Sequence, residues 1–255
     1  MGTRARGLVI STGLAVALTA TAIATAAGSA QAASALPRLN ITGVYVTGVS
    51  SGGFMATQLQ VAYSATIDGA GIIAAGPYDC GQGNVIDFAT CDVGASLPVL
   101  EQQAITWAAQ RKIDPVADLA GKPVYVYHGL LDPVVNAAVA GSGVAFYQHF
   151  GADVAYHNWD PAGHGWPTPE GVLACPLTSP PFLINCGDDP EGEMLTHWLG
   201  HVNPPNTRQP DGTLTSFSQN GYARQAAAVR LSAWTTPACC TRRRPARVAP
   251  LAPSW

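Results

Sequence analysis

The five residues Gly48-Val49-Ser50-Ser51-Gly52 constrain this chain more than any other stretch. They follow a β-rich run, Ile41 to Thr47, and precede a run with helical spacing, Gly52 to Tyr63, in which Phe54, Met55, Leu59 and Ala62 share a face. A serine at such a strand-to-helix turn sits on strained backbone with its hydroxyl lifted clear of the sheet. Small residues at the flanking positions let strand and helix approach closely. The next amide, Ser51 N–H, points toward a carbonyl oxygen under attack, and the helix N-terminus adds favourable potential for a developing oxyanion. Ser51 is the competing hydroxyl, but only Ser50 has glycines at both motif positions. The pattern alone is weak because Gly and Ser crowd many loops, and its strand and helix context supplies the specificity.

Further along, strand and helix patterns alternate. Ile72–Ala75, Val124–Tyr127 and Val154–Trp159 read as strands, and Leu97–Gln110, Val144–Phe150 and Glu191–Leu199 as helices. This alternation predicts an α/β fold, a mostly parallel sheet with helices on both faces. With 47% apolar and 11% charged residues over 255 positions, the main body has core enough for one large domain and is not disordered. A net charge of -3 argues against a nucleic-acid partner. The charge is unevenly spread: no Asp or Glu follows Asp211, whereas Arg224, Arg230, Arg242, Arg243, Arg244 and Arg247 do.

The first residues read as an address. Arg4 and Arg6 precede an uncharged run from Leu8 to Ala27, and Ala30-Gln31-Ala32 fits the small-x-small cleavage rule. The expectation is a signal peptide over 1–32, a catalytic domain over 33–223 and a basic tail over 224–255. No later stretch is long and apolar enough to span a bilayer, so a secreted, extracellular protein without a membrane partner is expected. Export places the cysteines in an oxidising compartment. Cys80 and Cys91 lie eleven residues apart, as do Cys175 and Cys186, and each pair brackets turn-rich sequence. Two local disulfides are the simplest reading, although four cysteines allow three connectivities. Zinc ligation would want tighter spacing.

A serine hydroxyl needs a base, and the base needs an orienting group. Asp132 lies just past the Val124–Tyr127 strand, and its bland alternative is a turn or helix cap. Six histidines compete for the base. His164, in Gly163-His164-Gly165, follows a strand in a loop whose glycines leave the imidazole free to pivot. His128, His149, His157, His197 and His201 are better explained by packing or the surface. The expected catalytic set is Ser50, Asp132 and His164, with no metal or organic cofactor. Trp159, Trp166, Phe54 and Tyr78 lie near these motifs in sequence and are candidates for contacting an apolar substrate, though such aromatics are as often core.

These blocks together resemble the secreted polyhydroxybutyrate depolymerases, closest to the circularly permuted single-domain kind. The resemblance rests on Gly48 to Met55, Val61 to Ser64, Ala75 to Cys80, His128 to Val135, Ala162 to His164, Pro180 to Cys186 and the Asp189 to Gly200 helix. It runs from about Leu36 to Ser218. It implies an α/β-hydrolase-like core that hydrolyses short-chain poly(3-hydroxyalkanoate) through an acyl-enzyme, with Ser50, Asp132 and His164 at the family's three catalytic motifs. A monomer acting on polyester polymer or oligomer is expected.

The resemblance also implies a later strand followed by His-Gly-Cys that supplies a second oxyanion donor. No such segment follows Ser218, where the chain turns Arg-, Ala- and Pro-rich. The expectation is a core incomplete at its C-terminal end. Loss of reading frame in GC-rich DNA would give that composition, and a natural basic tail is the plainer alternative. The competing functions are therefore a truncated, non-catalytic polyester-binding product and a general secreted carboxylesterase or lipase.

Overall fold

In a computed structural model of the chain, the described residues are 40–81, 91 and 96–204, all within one compact unit. The expected signal peptide and basic tail lie outside them. Four parallel strands form the main sheet: β1 (Tyr45–Val49), β2 (Gly69–Ile73), β3 (Pro123–Tyr127) and β4 (Asp153–His157), side by side in chain order. Helices α1 (Ser51–Ala62), α2 (Leu97–Ala109) and α3 (Ala137–His149) connect them, and α4 (Pro190–Leu199) follows.

Parallel crossovers are right-handed, so strands added always in one direction place their helices on one face. The two cores follow from this. Ala70 and Ile72 of β2 and Val124 and Val126 of β3 meet Val61 of α1, Leu100 and Ala104 of α2, and Val144, Phe146 and Tyr147 of α3. The alternate residues, Ile73, Tyr125 and Tyr127, face Met194 of α4, together with Ala162 and Ile184. Among the described residues, three helices thus cover one face of the sheet and α4 covers the other.

Local chemistry sets the helix ends. Asn136 Oδ1 accepts from Ala138 N at 2.8 Å and starts α3. Asp189 Oδ1 accepts from Gly192 N at 2.9 Å, with Pro190 in the first turn and Glu191 and Glu193 against the positive end of the α4 dipole.

Several expected boundaries shift. The first strand is Tyr45–Val49 rather than Ile41–Thr47, carrying the β-run directly into Ser50. The second is Gly69–Ile73, ended by Ala74 in the left-handed region at φ 50°. The α3 helix begins at Ala137 rather than Val144, because the Asn136 cap starts it and Gly141 and Gly143 hide its period. The last strand stops at His157, short of Trp159.

A second, small sheet has no counterpart in the expectations. Its strands β5 (Trp166–Pro167), β6 (Leu173–Ala174) and β7 (Leu183–Asn185) run in the order β5-β7-β6 and are too short to carry a hydrophobic period. Disulfides close Cys80–Cys91 and Cys175–Cys186. Among the described residues no helix is long and apolar enough to cross a membrane.

Candidate active site

Strand register places the site. Val49, Ile73, Tyr127 and His157 form one row across the C-terminal end of the main sheet. Ser50 lies one residue beyond that row on β1, Asp132 five beyond it on β3, and His164 seven beyond it on β4. All three therefore stand along the same edge, the end of an open parallel sheet where ligand crevices form.

Ser50 adopts φ 57° and ψ -125°, a combination that costs a non-glycine residue on the order of 1–3 kcal/mol. Its N–H donates to Ile73 O at 2.9 Å and its carbonyl accepts from Phe54 N at 2.9 Å, so β2 and α1 pin the turn from two sides. The glycines divide the steric work unevenly. A Cβ on Gly48 would overlap the backbone of Gly52, and one on Gly53 would lie 2.8 Å from both Ala75 Cβ and Ile73 O. A Cβ on Gly52 itself would meet nothing within 4 Å. Gly48 and Gly53 are thus the residues that let strand and helix close up. Ser51 opens α1, where backbone N–H groups have no intrahelical acceptor.

Asp132 and His164 are brought together by two loops joined backbone to backbone. Leu130 N donates to Asp160 O at 2.8 Å and Leu131 N to Ala162 O at 3.0 Å. Asp132 Oδ2 then lies 2.8 Å from His164 Nδ1, while Asp132 Oδ1 accepts from Val134 N at 2.8 Å and Val135 N at 3.0 Å. The Asp132 side chain is fully buried, and that of His164 is 9% exposed. Burial alone would raise the Asp132 carboxyl. The hydrogen bonds from His164, Val135 and Val134 outweigh it and hold the group below the ordinary carboxylate range.

The histidine loop is clamped rather than free. Gly163 N donates to Cys175 O at 2.8 Å, and His164 N donates to Thr178 Oγ1 at 2.8 Å. A Cβ on Gly163 would lie 2.7 Å from Leu177 O, Pro176 O and Thr178 Oγ1, and one on Gly165 would lie 2.9 Å from Phe182 O. The two glycines thus serve close approach to the Cys175–Cys186 loop, not mobility of the imidazole. Thr178 was not anticipated, since nothing in its local sequence marks it.

The aromatic candidates separate by environment. Tyr78 is 4% exposed and lies edge-on to Trp107 in the core, where burial first, then Asp79, pushes its hydroxyl up to about 12. Phe54 packs against the same core. The Trp166 indole N–H donates to Glu191 Oε1 at 2.5 Å, and Thr168 Oγ1 donates to Glu191 Oε2 at 2.8 Å. Trp159, 60% exposed, offers open ring surface beside the Asp160–His164 loop. Among the other histidines, His128 Nε2 lies 2.9 Å from Val135 O, His197 Nε2 lies 2.9 Å from Asp153 O, and His149 faces Glu101. His157 is the exception, a buried ring set among carboxylates.

A parallel sheet with a strained serine elbow after one strand and a buried Asp–His pair past two others defines an α/β-hydrolase core. No family model matches the chain. It is 38% identical over 205 residues to a poly(3-hydroxybutyrate) depolymerase of Delftia acidovorans, covering 76% of this chain and 42% of that protein. It is 35% identical over 205 residues to a polyhydroxybutyrate depolymerase of Talaromyces funiculosus, covering 77% of this chain and 60% of that one. The chain therefore spans less than two thirds of either relative. A solved PHB depolymerase, a serine-to-alanine variant complexed with an R3HB trimer, superposes with a TM-score of 0.67 at 32% identity over 74% of this chain and 61% of that one. The crystal structure of PHB depolymerase from Penicillium funiculosum gives 0.66 at 34% identity with the same coverage. In sequence and in fold, about three quarters of the chain is similar to these polyhydroxybutyrate depolymerases.

Proposed function

We propose that this chain is the hydrolytic core of an exported serine esterase acting on poly(3-hydroxybutyrate), related short-chain polyhydroxyalkanoates and their oligomers. The observation that carries the reading is the Asp132–His164 pair at 2.8 Å on the same sheet edge as the Ser50 elbow. The likeness to proteins named as depolymerases of this polyester supports the substrate class.

Asp132, an acceptor when ionised, accepts a hydrogen bond from His164 Nδ1–H and so leaves Nε2 unprotonated to act as base. Ser50 Oγ attacks the ester carbonyl as its proton passes to His164 Nε2. The tetrahedral oxyanion rests on Ser51 N–H at the start of α1. Collapse expels the alcohol end of the polymer, which takes the proton from His164. Water, deprotonated by His164, then attacks the acyl-Ser50 ester, releases the acid and restores the serine. Trp159 is the exposed aromatic beside this chemistry and the contact for an apolar polyester chain.

Residues 1–32 are an export signal, 33–223 the catalytic domain of a monomer and 224–255 a basic tail in this reading. The two closed disulfides support an oxidising destination.

The test is clearing of an amorphous poly(3-hydroxybutyrate) suspension by the full chain beside its Ser50→Ala variant, with circular dichroism on both. Clearing lost in the variant supports the proposal. A folded protein that clears nothing, or equal clearing by both, overturns it. Faster turnover of triglyceride than of hydroxybutyrate trimer would reassign it as a general carboxylesterase.

A further inference from the structure

A buried imidazole that the proposed chemistry does not use lies in the chain leading to His164. His157 ends β4 and is 1% exposed. Its Nδ1 lies 2.8 Å from Glu193 Oε2 and its Nε2 2.9 Å from Asp160 Oδ2, with Asp188 Oδ2 at 3.5 Å. Tyr127 OH donates to the same Asp160 oxygen at 2.8 Å, and Tyr125 OH to Glu193 Oε2 at 2.8 Å. Trp159 stacks on the imidazole with centroids 3.9 Å apart and planes inclined by 23°.

This is not the environment of an ordinary core histidine. A neutral imidazole has one N–H and can donate to one carboxylate only, so two carboxylate-facing nitrogens require a second proton within the cluster, on the ring or on a carboxyl. Burial, then the neighbouring Asp160, holds the Asp188 carboxyl above the ordinary range. Gathering these groups is costly for stability, and apolar packing would fill the same volume more cheaply.

The cluster spans the elements that flank His164. Asp160 opens the loop, and its carbonyl holds Leu130 in the loop that carries Asp132. Glu193 belongs to α4, whose Glu191 holds Trp166 and Thr168, two and four residues past His164. His157 is the link between Glu193 and Asp160, so the chain before His164 is tied to the same helix as the chain after it.

We infer that His157 is a positioning residue. By bridging Glu193 of α4 to Asp160, it fixes the Asp160–His164 backbone and with it the geometry of the Asp132–His164 pair. The inference rests on the serine-esterase reading above, and its test separates the two.

His157→Gln has a single donor nitrogen in place of the two ring nitrogens that face Glu193 and Asp160, so it cannot bridge them as the imidazole does. On soluble (R)-3-hydroxybutyrate trimer it is expected to lower kcat on the order of 10- to 100-fold, the scale of a small misplacement of a catalytic group. KM should stay within about twofold, because no substrate contact is lost. Glu193→Ala should do the same. Glu193→Gln, whose amide can donate to His157 while the ring donates to Asp160, should keep turnover near the parent's. Hydrogen exchange gives a readout independent of activity: the Leu130 and Leu131 amides should exchange faster in His157→Gln and Glu193→Ala, and those of β2 should not.

Unchanged kcat in a folded His157→Gln protein, a rise in KM alone, or unaltered exchange at Leu130 and Leu131 overturns the inference. Should His157→Gln fail to fold, Glu193→Ala, altered at a half-exposed side chain, decides by the same criteria. Should the parent cleave no ester at all, the esterase reading falls while the exchange data still decide whether His157 is the clamp.

Discussion

Gly129 and Ala162 meet without room for a side chain between them: a methyl group on Gly129 would overlap the carbonyl oxygen of Ala162. That carbonyl is the one held by Leu131 N, so the contact sits on the seam between the Asp132 loop and the His164 loop. Neither residue has a place in the chemistry, yet their approach governs whether two groups from different strands reach 2.8 Å.

Gly129→Ala should therefore act at a distance. Because the obstructing atom is backbone, the loops must part, at a stability cost of about 1–3 kcal/mol typical of overpacking. Displacing His164 from Asp132 should slow ester turnover on the order of 100-fold. Thermal denaturation beside trimer hydrolysis checks both, and full activity in the alanine protein would contradict the account.

Asp132 gives a prediction with a sign in pH. Its carboxyl is held below the ordinary range in the folded protein, so ionisation stabilises the fold. The contribution is present above the unfolded value of about 4 and is lost as pH falls through the lowered folded value. Melting temperatures of the parent and Asp132→Asn should differ most near neutral pH and converge in acid. At neutral pH the variant should lose on the order of 10³–10⁴ in kcat, since an amide in place of the carboxylate allows the wrong imidazole tautomer.

Ser50→Gly should make the protein more stable while removing its proposed nucleophile. Glycine adopts φ 57° with ψ -125° without the penalty that serine carries, so a gain of about 1–2 kcal/mol is expected. Ser50→Ala keeps the Cβ and should show little of that gain. Urea denaturation of the three proteins separates the hydroxyl from the backbone conformation.

The two disulfides should part company on function. Replacing either pair by serine should cost about 2–4 kcal/mol through the freed loop. Only Cys175→Ser with Cys186→Ser should also slow turnover, because that loop supplies Cys175 O to Gly163 N and Thr178 Oγ1 to His164 N. Loss of Cys80–Cys91 should leave kcat near the parent's. Kinetics at a temperature where both variants remain folded makes the comparison.

Local pattern carried the parts of this fold that are local. The strand before Ser50, the helix after it and the glycines around it could be read directly, as could the position of Asp132 past a strand end. The α3 start was obscured because Gly141 and Gly143 break its period and Asn136 reads equally well as a turn. Gly163 and Gly165 mislead in the sequence, because glycine between loop residues signals either freedom or close contact. Only the neighbouring Cys175–Phe182 backbone decides which. His157 gave no sign of its setting, since its partners lie 3, 31 and 36 residues away and reach it through the sheet and α4.

The chain-order sheet also bears on when such a site could arise during synthesis. Each strand pairs with the one made before it, so a chain emerging from its N-terminus can extend the sheet one strand at a time without waiting for distant sequence. Ser50 is in place early, Asp132 only once β3 has joined, and His164 last of all. It needs β4 and then the Cys175–Cys186 loop that follows it in the chain. A partly synthesised chain would thus carry the Ser50 elbow before the Asp132–His164 pair exists, and assembly of the three groups would be deferred until most of the core had formed.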